Sequence, residues 1–237
     1  MFHKNGPTLI ELIKQGLSST QKGYDLLAPK FDFTPFRTSP IILDAVMRQL
    51  GEKRKYDDAL DLCTGTGAGI SALLKIVQNN IVGVDWSEPM LDEAKKRFGL
   101  LRHKVDLVHQ DIFSLEYREQ FDLVTCFGAE GHIERHRQKD FIGIIHSSLR
   151  SGGEFVFVTG EMPSLLSPAL WIFLGFDLVM RVRNILIKPP FVMYYLNFLL
   201  PNVLNLFKKE KWSSVKVVPL EIWNQPTPLR LVIATKK

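Results

Sequence analysis

The sequence is poor in cysteine, and its two cysteines, Cys63 and Cys126, are too few for a disulfide framework. We interpret both as small apolar core residues. The N-terminal stretch MFHKNGPTLIELIKQ also lacks the continuous apolar core of a secretory signal. Together these features predict a protein of the reducing cytoplasm.

The sequence also lacks recognisable metal and phosphate motifs. The histidines His103, His109, His136 and His146 show no metal-ligand spacing with acids or cysteines, so no metal site is predicted. The Gly-Lys-Ser/Thr of a phosphate-binding P-loop is absent, and Ile70 stands where a dinucleotide-binding loop needs its third glycine. Pyrophosphate ligands are therefore disfavoured.

Long apolar runs and charge of a single sign are missing as well. The stretch LLSPALWIFLGFDLVM is interrupted by Pro168 and Asp177 and is shorter than the roughly 20 apolar residues of a membrane-spanning helix. The formal charge of +5 permits an anionic partner but does not require one. Since no basic stripe with interleaved aromatic residues appears, a nucleic-acid substrate is disfavoured.

What the sequence does contain is an alternation of β-rich and helical segments. The β-rich runs are DDALDLC, NNIVGVD, VDLVHQD, FDLVTCF, GEFVFVTG, SSVKVVPLE and LRLVIATKK. Their rhythm predicts a single α/β domain with a Rossmann-like, doubly wound, seven-stranded and mostly parallel sheet. The last two runs, separated by WNQPTP, predict a C-terminal antiparallel hairpin.

The predicted domain has four parts. N-terminal helices occupy residues 1–50, a ligand-binding core occupies 56–160, an apolar helical insertion occupies 163–207, and the closing hairpin occupies 212–237. Thr38 or Ser39 is expected to cap the helix that begins at Pro40.

Three glycines, Gly65, Gly67 and Gly69, alternate between the first strand and the following helix. Glycines in such a turn allow tight curvature and a close approach of the backbone to a ligand. In an open parallel sheet this turn lies beside the switch point where ligands bind. Asp61 immediately before the loop favours a cationic nucleoside without phosphates, and S-adenosylmethionine has this chemistry.

Four motifs, DLCTGTGAG, GVDWSEPMLDEAKKRF, HQDIFSL and FDLVTCFGAEGHI, are found at the ends of successive predicted strands. Their order and spacing over roughly residues 24–160 resemble the class I S-adenosylmethionine-dependent methyltransferases of small-molecule type, similar to the ubiquinone/menaquinone methyltransferase group. The loop differs from the commonest family pattern because Cys63 and Thr64 replace Gly and Cys.

The resemblance implies a role for particular residues in binding S-adenosylmethionine. Asp61 would pair with the ammonium of the methionine part, and Asp85 would accept from the ribose hydroxyls. Asp111 would accept from the adenine amino group. The full set of implied cofactor-binding residues is Asp61, Cys63, Gly65, Gly67, Asp85, Trp86, Met90, Asp111, Ile112 and Phe127.

His132 follows the fourth strand, where substrate and cofactor meet in this family. Two roles stay open, a general base and a residue that orients a loop. Glu130 is a weaker candidate for the base. The insertion, which small-molecule members of the family use as a substrate lid, suggests an apolar acceptor of quinone, lipid or terpenoid type, and Tyr24, Tyr194 and Tyr195 are candidate contacts.

Two further alternatives stay open at this point. One is an RNA methyltransferase, and the other is a non-catalytic S-adenosylmethionine-binding protein associated with a membrane or a partner. The cations that flank residues 163–207 also leave open a peripheral contact of this segment with a membrane.

Overall fold

The computed structural model describes residues 3–51, 55–101, 104–223 and 225–237. His103 and Asn224 of the metal and turn predictions lie outside the described residues. The α-helices are α1 (Leu9–Leu17), α2 (Thr20–Leu27), α3 (Pro40–Leu50), α4 (Ala68–Leu73), α5 (Glu88–Phe98), α6 (Gln138–Ser148) and α7 (Pro168–Leu186). The strands are β1 (Tyr56–Leu62), β2 (Val77–Asp85), β3 (Val105–His109), β4 (Phe121–Cys126), β5 (Leu149–Gly160), β6 (Trp212–Ile222) and β7 (Gln225–Lys236).

The strands form one seven-stranded sheet in the order β3-β2-β1-β4-β5-β7-β6. The pairs among β1 to β5 are parallel, whereas β7 runs antiparallel to both β5 and β6. This topology confirms the predicted Rossmann-like sheet. Because the chain builds outward from β1 in both directions, the switch point lies between the carboxyl ends of β1 and β4.

Two apolar cores cover the two faces of the sheet. On one face α6 packs Phe141 against Phe155 and Phe157 of β5, and all three rings are fully buried. On the other face α3 and α4 contribute Val46 and Ile70. Burial on both faces explains why the central strands are continuously apolar.

Local signals set where several helices begin. Thr8 and Glu11 form a capping box at α1, and Ser87 accepts from the backbone N–H of Met90 at α5. Pro40 starts α3 as expected, but the predicted side-chain cap was wrong. The Thr38 hydroxyl instead donates to the carbonyl of Phe127, 3.0 Å away, and ties α3 to the end of β4.

The insertion differs from the predicted pair of helices. Its first half is α7, but the second half is mostly irregular and contains only a short 3₁₀ helix at Asn202–Leu206. Pro189, Pro190 and Pro201 interrupt the apolar run and disfavour a continuous helix. Phe198 packs on Phe157, so the second half covers the sheet.

The closing hairpin is tighter than WNQPTP suggested. β6 continues to Ile222 and β7 begins at Gln225, because the backbone of Glu221 pairs with Pro226. Proline is compatible with a strand where its missing N–H is not needed by the ladder.

Candidate active site

The glycine-rich turn between β1 and α4 depends on each of its three glycines in a different way. Gly65 and Gly67 have left-handed backbones, with φ of +55° and +83°. A Cβ on Gly67 would overlap the Phe98 ring, and a Cβ on Gly69 would lie 2.5 Å from Oδ2 of Asp61. The third glycine therefore allows the Asp61 carboxylate to lie against the start of α4.

Asp61, near the end of β1, is buried with 2% of its surface exposed. Its Oδ1 accepts from Oγ1 of Thr125 at 2.7 Å and its Oδ2 accepts from Oγ1 of Thr64 at 2.6 Å. Burial raises the pKa of Asp61 to about 6, although the two hydroxyls oppose this shift. The carboxylate is thus positioned and lacks a cation among its described contacts, so a cationic ligand would stabilise its charged form.

Asp85, the last residue of β2, is a second buried carboxylate. Its Oδ2 accepts from the backbone N–H of Gly65 at 2.8 Å, and its Oδ1 accepts from that of Ser87 at 2.9 Å. Burial raises its pKa to about 6 as well. A carboxylate has about four acceptor positions, so Asp85 keeps acceptor capacity for a ligand hydroxyl beside these backbone bonds.

A cavity of about 530 Å³ opens at the carboxyl ends of the strands. This volume is within the roughly 300 to 1,000 Å³ of typical ligand sites. The structure places most of the predicted site residues on its wall. The predicted residues that line the cavity are Asp61, Cys63, Gly65, Asp85, Trp86, Met90, Asp111, Ile112, Phe127, Tyr24 and His132.

Gly67, Tyr194 and Tyr195 are not among the lining residues, so the structure does not bring these three predicted residues to the cavity. Gly67 is needed for its backbone conformation and for the packing of Phe98. The Tyr194 hydroxyl accepts from Nδ2 of Asn184 in α7, and the Tyr195 ring stacks on Phe173. Both tyrosines therefore hold α7 to the body of the protein.

His132 and Tyr24 form a hydrogen-bonded pair on the cavity wall. Nδ1 of His132 lies at the carbonyl oxygen of Val192, which can only accept, so Nδ1 carries the proton. Nε2 is then the acceptor for the Tyr24 hydroxyl, 2.8 Å away. Burial lowers the pKa of His132 and raises that of Tyr24, which favours neutral forms of both.

Glu130 lies two residues before His132 in the sequence but is not among the lining residues. Its Oε2 accepts from the backbone N–H of Gly128 at 3.1 Å, and burial raises its pKa to about 8. Asp111 lines the cavity and also caps a 3₁₀ turn by accepting from the backbone N–H of Phe113 at 3.0 Å.

Several residues that position the site could not be identified from the sequence. Thr125 was missed, although it is the register partner of Asp61 across β4 and β1. Asp32 was missed as well. It accepts from Oγ1 of Thr66 at 2.6 Å and pairs with Arg37 and Arg97, and these contacts fix the glycine-rich turn.

The described side chains fit S-adenosylmethionine. Asp61 suits an ammonium, Asp85 suits a pair of ribose hydroxyls, and the apolar wall of Met90 and Ile112 suits an adenine ring. The sheet order, the glycine-rich turn at the switch point and these two acids fit the class I S-adenosylmethionine-dependent methyltransferases.

Comparison with known proteins supports this class. Residues 59–153 match the family model described as a methyltransferase domain. Demethylmenaquinone methyltransferase of Staphylococcus aureus is 33% identical over 118 residues, which are 48% of this chain and 47% of that protein. The chain thus matches about half the length of this curated relative, and its residues 59–153 form a methyltransferase domain.

Solved structures share the fold over nearly the whole chain. An O-methyltransferase family protein from Burkholderia thailandensis has a TM-score of 0.68 at 18% identity, covering 98% of this chain and 68% of that one. The S-adenosylhomocysteine complex of DhpI has a TM-score of 0.65 at 19% identity, covering 96% and 98%. At these identities the likeness shows the fold alone.

Proposed function

We propose that the protein transfers a methyl group from S-adenosylmethionine to a small apolar acceptor of quinone, lipid or terpenoid type. The observation that carries the proposal is the composition of the cavity wall. The two buried acids lie on one part of it, and the aromatic side chains Phe31, Phe36 and Phe127 also line it. An aromatic wall favours an apolar, ring-containing acceptor.

S-adenosylmethionine, when bound, supplies an electrophilic methyl group. Asp61 would hold its ammonium and Asp85 its ribose, while Trp86, Met90, Asp111 and Ile112 would surround its adenine. The chain's main contribution is to align the acceptor and to exclude water, and alignment alone is worth about 7 to 11 kcal/mol in favourable cases.

An acceptor hydroxyl must lose its proton during transfer, and the Tyr24–His132 pair supplies a route for it. The acceptor proton passes to the Tyr24 oxygen while the Tyr24 proton passes to Nε2 of His132, which becomes an imidazolium. The carbonyl of Val192 holds the ring by accepting from Nδ1. The geometry thus supports His132 as a general base that acts through Tyr24.

A curated relative supports the acceptor class. The matching Staphylococcus aureus protein is named for demethylmenaquinone. We extend only the chemical class to this chain, an apolar acceptor of quinone type.

Transfer of a labelled methyl group tests the proposal. Wild type, Tyr24→Phe and the control Tyr117→Phe, whose ring contacts Phe121 outside the lining set, are compared with a demethylated quinol and with RNA as acceptors. Tyr24→Phe is expected to lower kcat by about 100-fold or more and to leave S-adenosylhomocysteine affinity unchanged. Equal kcat in both variants would remove the proton route, and preferential labelling of RNA would overturn the acceptor class.

A further inference from the structure

Helix α7 has the reverse of the usual polarity for a surface helix, because its polar residues Asp177 and Asn184 are buried against the protein. Asp177 is buried and accepts from the backbone N–H groups of Tyr195 at 2.8 Å and Leu196 at 3.3 Å. Asn184 is also buried and exchanges hydrogen bonds with the backbone of Phe191. A helix facing water normally turns such residues outward.

The outward face of α7 is apolar. Three- and four-residue spacing places its large exposed side chains on one side of the helix, and they are Trp171, Ile172, Leu178, Val179, Ile185 and Leu186. Ile185 and Leu186 expose 75% and 76% of their surface. Contiguous exposure of this kind marks an interaction site.

Helix α1 has the same reversed polarity. Its only buried residue among those described is Gln15, whereas Leu9, Ile10, Ile13 and Leu17 are each more than half exposed. Arg183 of α7 joins the two helices, donating to the carbonyls of Gly16 at 2.9 Å and Ser18 at 2.6 Å. We call the outward apolar residues of both helices the α1–α7 surface.

The charges around the α1–α7 surface are positive. The segments 3–18 and 162–190 contain Lys4, Lys14, Arg181, Arg183 and Lys188. Their acids are Glu11 and Asp177. Glu11 is paired with Lys30 at 2.7 Å, and Asp177 is buried against backbone N–H groups. An anionic partner is therefore favoured electrostatically.

The α1–α7 surface adjoins the cavity. The chain that follows α7 lines the cavity through Pro189, Pro190 and Val192, and the chain that follows α1 lines it through Thr20 and Tyr24. The segments that follow α1 and α7 therefore connect the α1–α7 surface to the wall of the cavity.

We propose that the α1–α7 surface docks into the interface of an anionic phospholipid bilayer, with both helices lying in the membrane plane. Apolar side chains would enter the acyl boundary, and Lys14 and Arg181 would meet the headgroups. Among the described helices none is long and apolar enough to cross a membrane.

A second copy of the chain fits this surface less well than a bilayer does. A two-fold dimer places the same patch on both partners, so the cations of one copy would face those of the other. Anionic headgroups neutralise the same cations. The docking itself is independent of methyl transfer; that it would deliver an acceptor from the bilayer to the cavity rests on the proposed function.

Flotation with phosphatidylcholine vesicles, with and without phosphatidylglycerol, tests the docking. The wild type is compared with Leu178→Gln/Ile185→Gln, with Lys14→Gln/Arg181→Gln, and with the control Leu100→Gln, which alters another exposed leucine. The apolar double variant is expected to lose binding by about tenfold or more. The charge variant is expected to bind weakly to anionic vesicles, and the control to behave as the wild type.

Calorimetry with S-adenosylhomocysteine on each variant separates this proposal from the proposed function, because cofactor binding does not require the membrane. A wild type that binds S-adenosylhomocysteine but floats with neither vesicle would overturn the docking proposal. A dimer in sedimentation that Leu178→Gln/Ile185→Gln makes monomeric, without vesicle binding, would also overturn it and assign the surface to a second copy.

Discussion

At the residue scale, the charge on Asp61 is costly to the free protein and useful to a bound cation. Asp61→Asn keeps two hydrogen bonds, because the hydroxyl of Thr64 or Thr125 can reverse its role and accept from the new amide. We expect the variant to fold with unchanged or higher stability near neutral pH. Its S-adenosylhomocysteine affinity should fall by about 10- to 100-fold, as for the loss of a charged hydrogen bond.

Thermal denaturation and calorimetry on the same preparation measure both effects of Asp61→Asn. A stable variant that keeps full affinity would remove Asp61 from the site. An unfolded variant would show that the buried carboxylate is needed for folding.

Gly69 lies against the Asp61 carboxylate, so a side chain at this position should destabilise the protein. Gly69→Ala places a methyl group 2.5 Å from Oδ2 of Asp61 and must displace it. We expect a loss of about 1 to 3 kcal/mol of unfolding free energy, together with weaker cofactor binding. Gly143→Ala in α6 is the matched control, since its added Cβ meets nothing within 4 Å beyond its chain neighbours and the backbone of its own helix.

Urea unfolding of Gly69→Ala and Gly143→Ala measures the change in the free energy of unfolding for each substitution. The control should gain about 0.5 to 1 kcal/mol from the helix preference of alanine. Equal effects of the two substitutions would contradict the steric role assigned to Gly69.

The sequence indicates most site residues, since each stands at a strand end in a motif. Asp85 closes β2 and Phe127 follows β4, and both line the cavity. The residues whose positions the sequence does not predict correctly depend on tertiary packing. Tyr195 was expected at the acceptor, but it turns toward Phe173 of α7 because the chain around it is irregular. Thr125 could be found only from the register of β1 and β4.

At the scale of elements, Arg183 is the main link between α1, α7 and the segment that lines the cavity. Its guanidinium donates to the carbonyls of Gly16, Ser18 and Pro189. Arg183→Met would leave these carbonyls without that donor, and we expect a loss of about 1 to 3 kcal/mol of unfolding free energy. Arg181→Met is the control, because its guanidinium only lies over the Tyr194 ring in the described contacts.

Hydrogen exchange on the Arg183→Met variant localises the effect. Amides of α1 should exchange faster in Arg183→Met than in Arg181→Met. Exchange that is equally fast in both variants would mean that Arg183 does not fix α1.

Elements with strong local signals were predictable, and the insertion was not. Thr8 and Glu11 mark the start of α1, and the β-rich runs mark the strands. The run after Lys188 is as apolar as α7, and composition alone could not show that three prolines leave it irregular and that Phe198 joins the core. Nor could the sequence show that α7 buries its polar residues and exposes its apolar ones.

At the scale of the whole molecule, the site makes the free protein sensitive to pH. Asp61 and Asp85 have pKa values of about 6 in the folded state, and Glu130 has one of about 8. The pKa values of the same groups are lower in the unfolded chain. Their contribution to the free energy of unfolding is therefore fully present at acid pH, and it is lost as the pH rises through the pKa values of the folded state. We expect the free protein to lose stability between about pH 4 and pH 8 from these groups.

Thermal unfolding across this pH range, with and without S-adenosylhomocysteine, measures the effect. The ligand ammonium favours the ionised acids, so the stabilisation by ligand should increase with pH. Asp61→Asn should show a flatter dependence than the wild type. Stability of the free protein that rises steadily with pH would contradict the assigned burial effects.

The central claim is that the cavity at the β1–β4 switch point binds S-adenosylmethionine, and calorimetric titration with S-adenosylhomocysteine tests it most directly. NADH is titrated in parallel, because a dinucleotide is the competing ligand for a glycine-rich turn of this kind. The account predicts a dissociation constant on the order of micromolar for S-adenosylhomocysteine and no heat with NADH. Binding of NADH without binding of S-adenosylhomocysteine would contradict it.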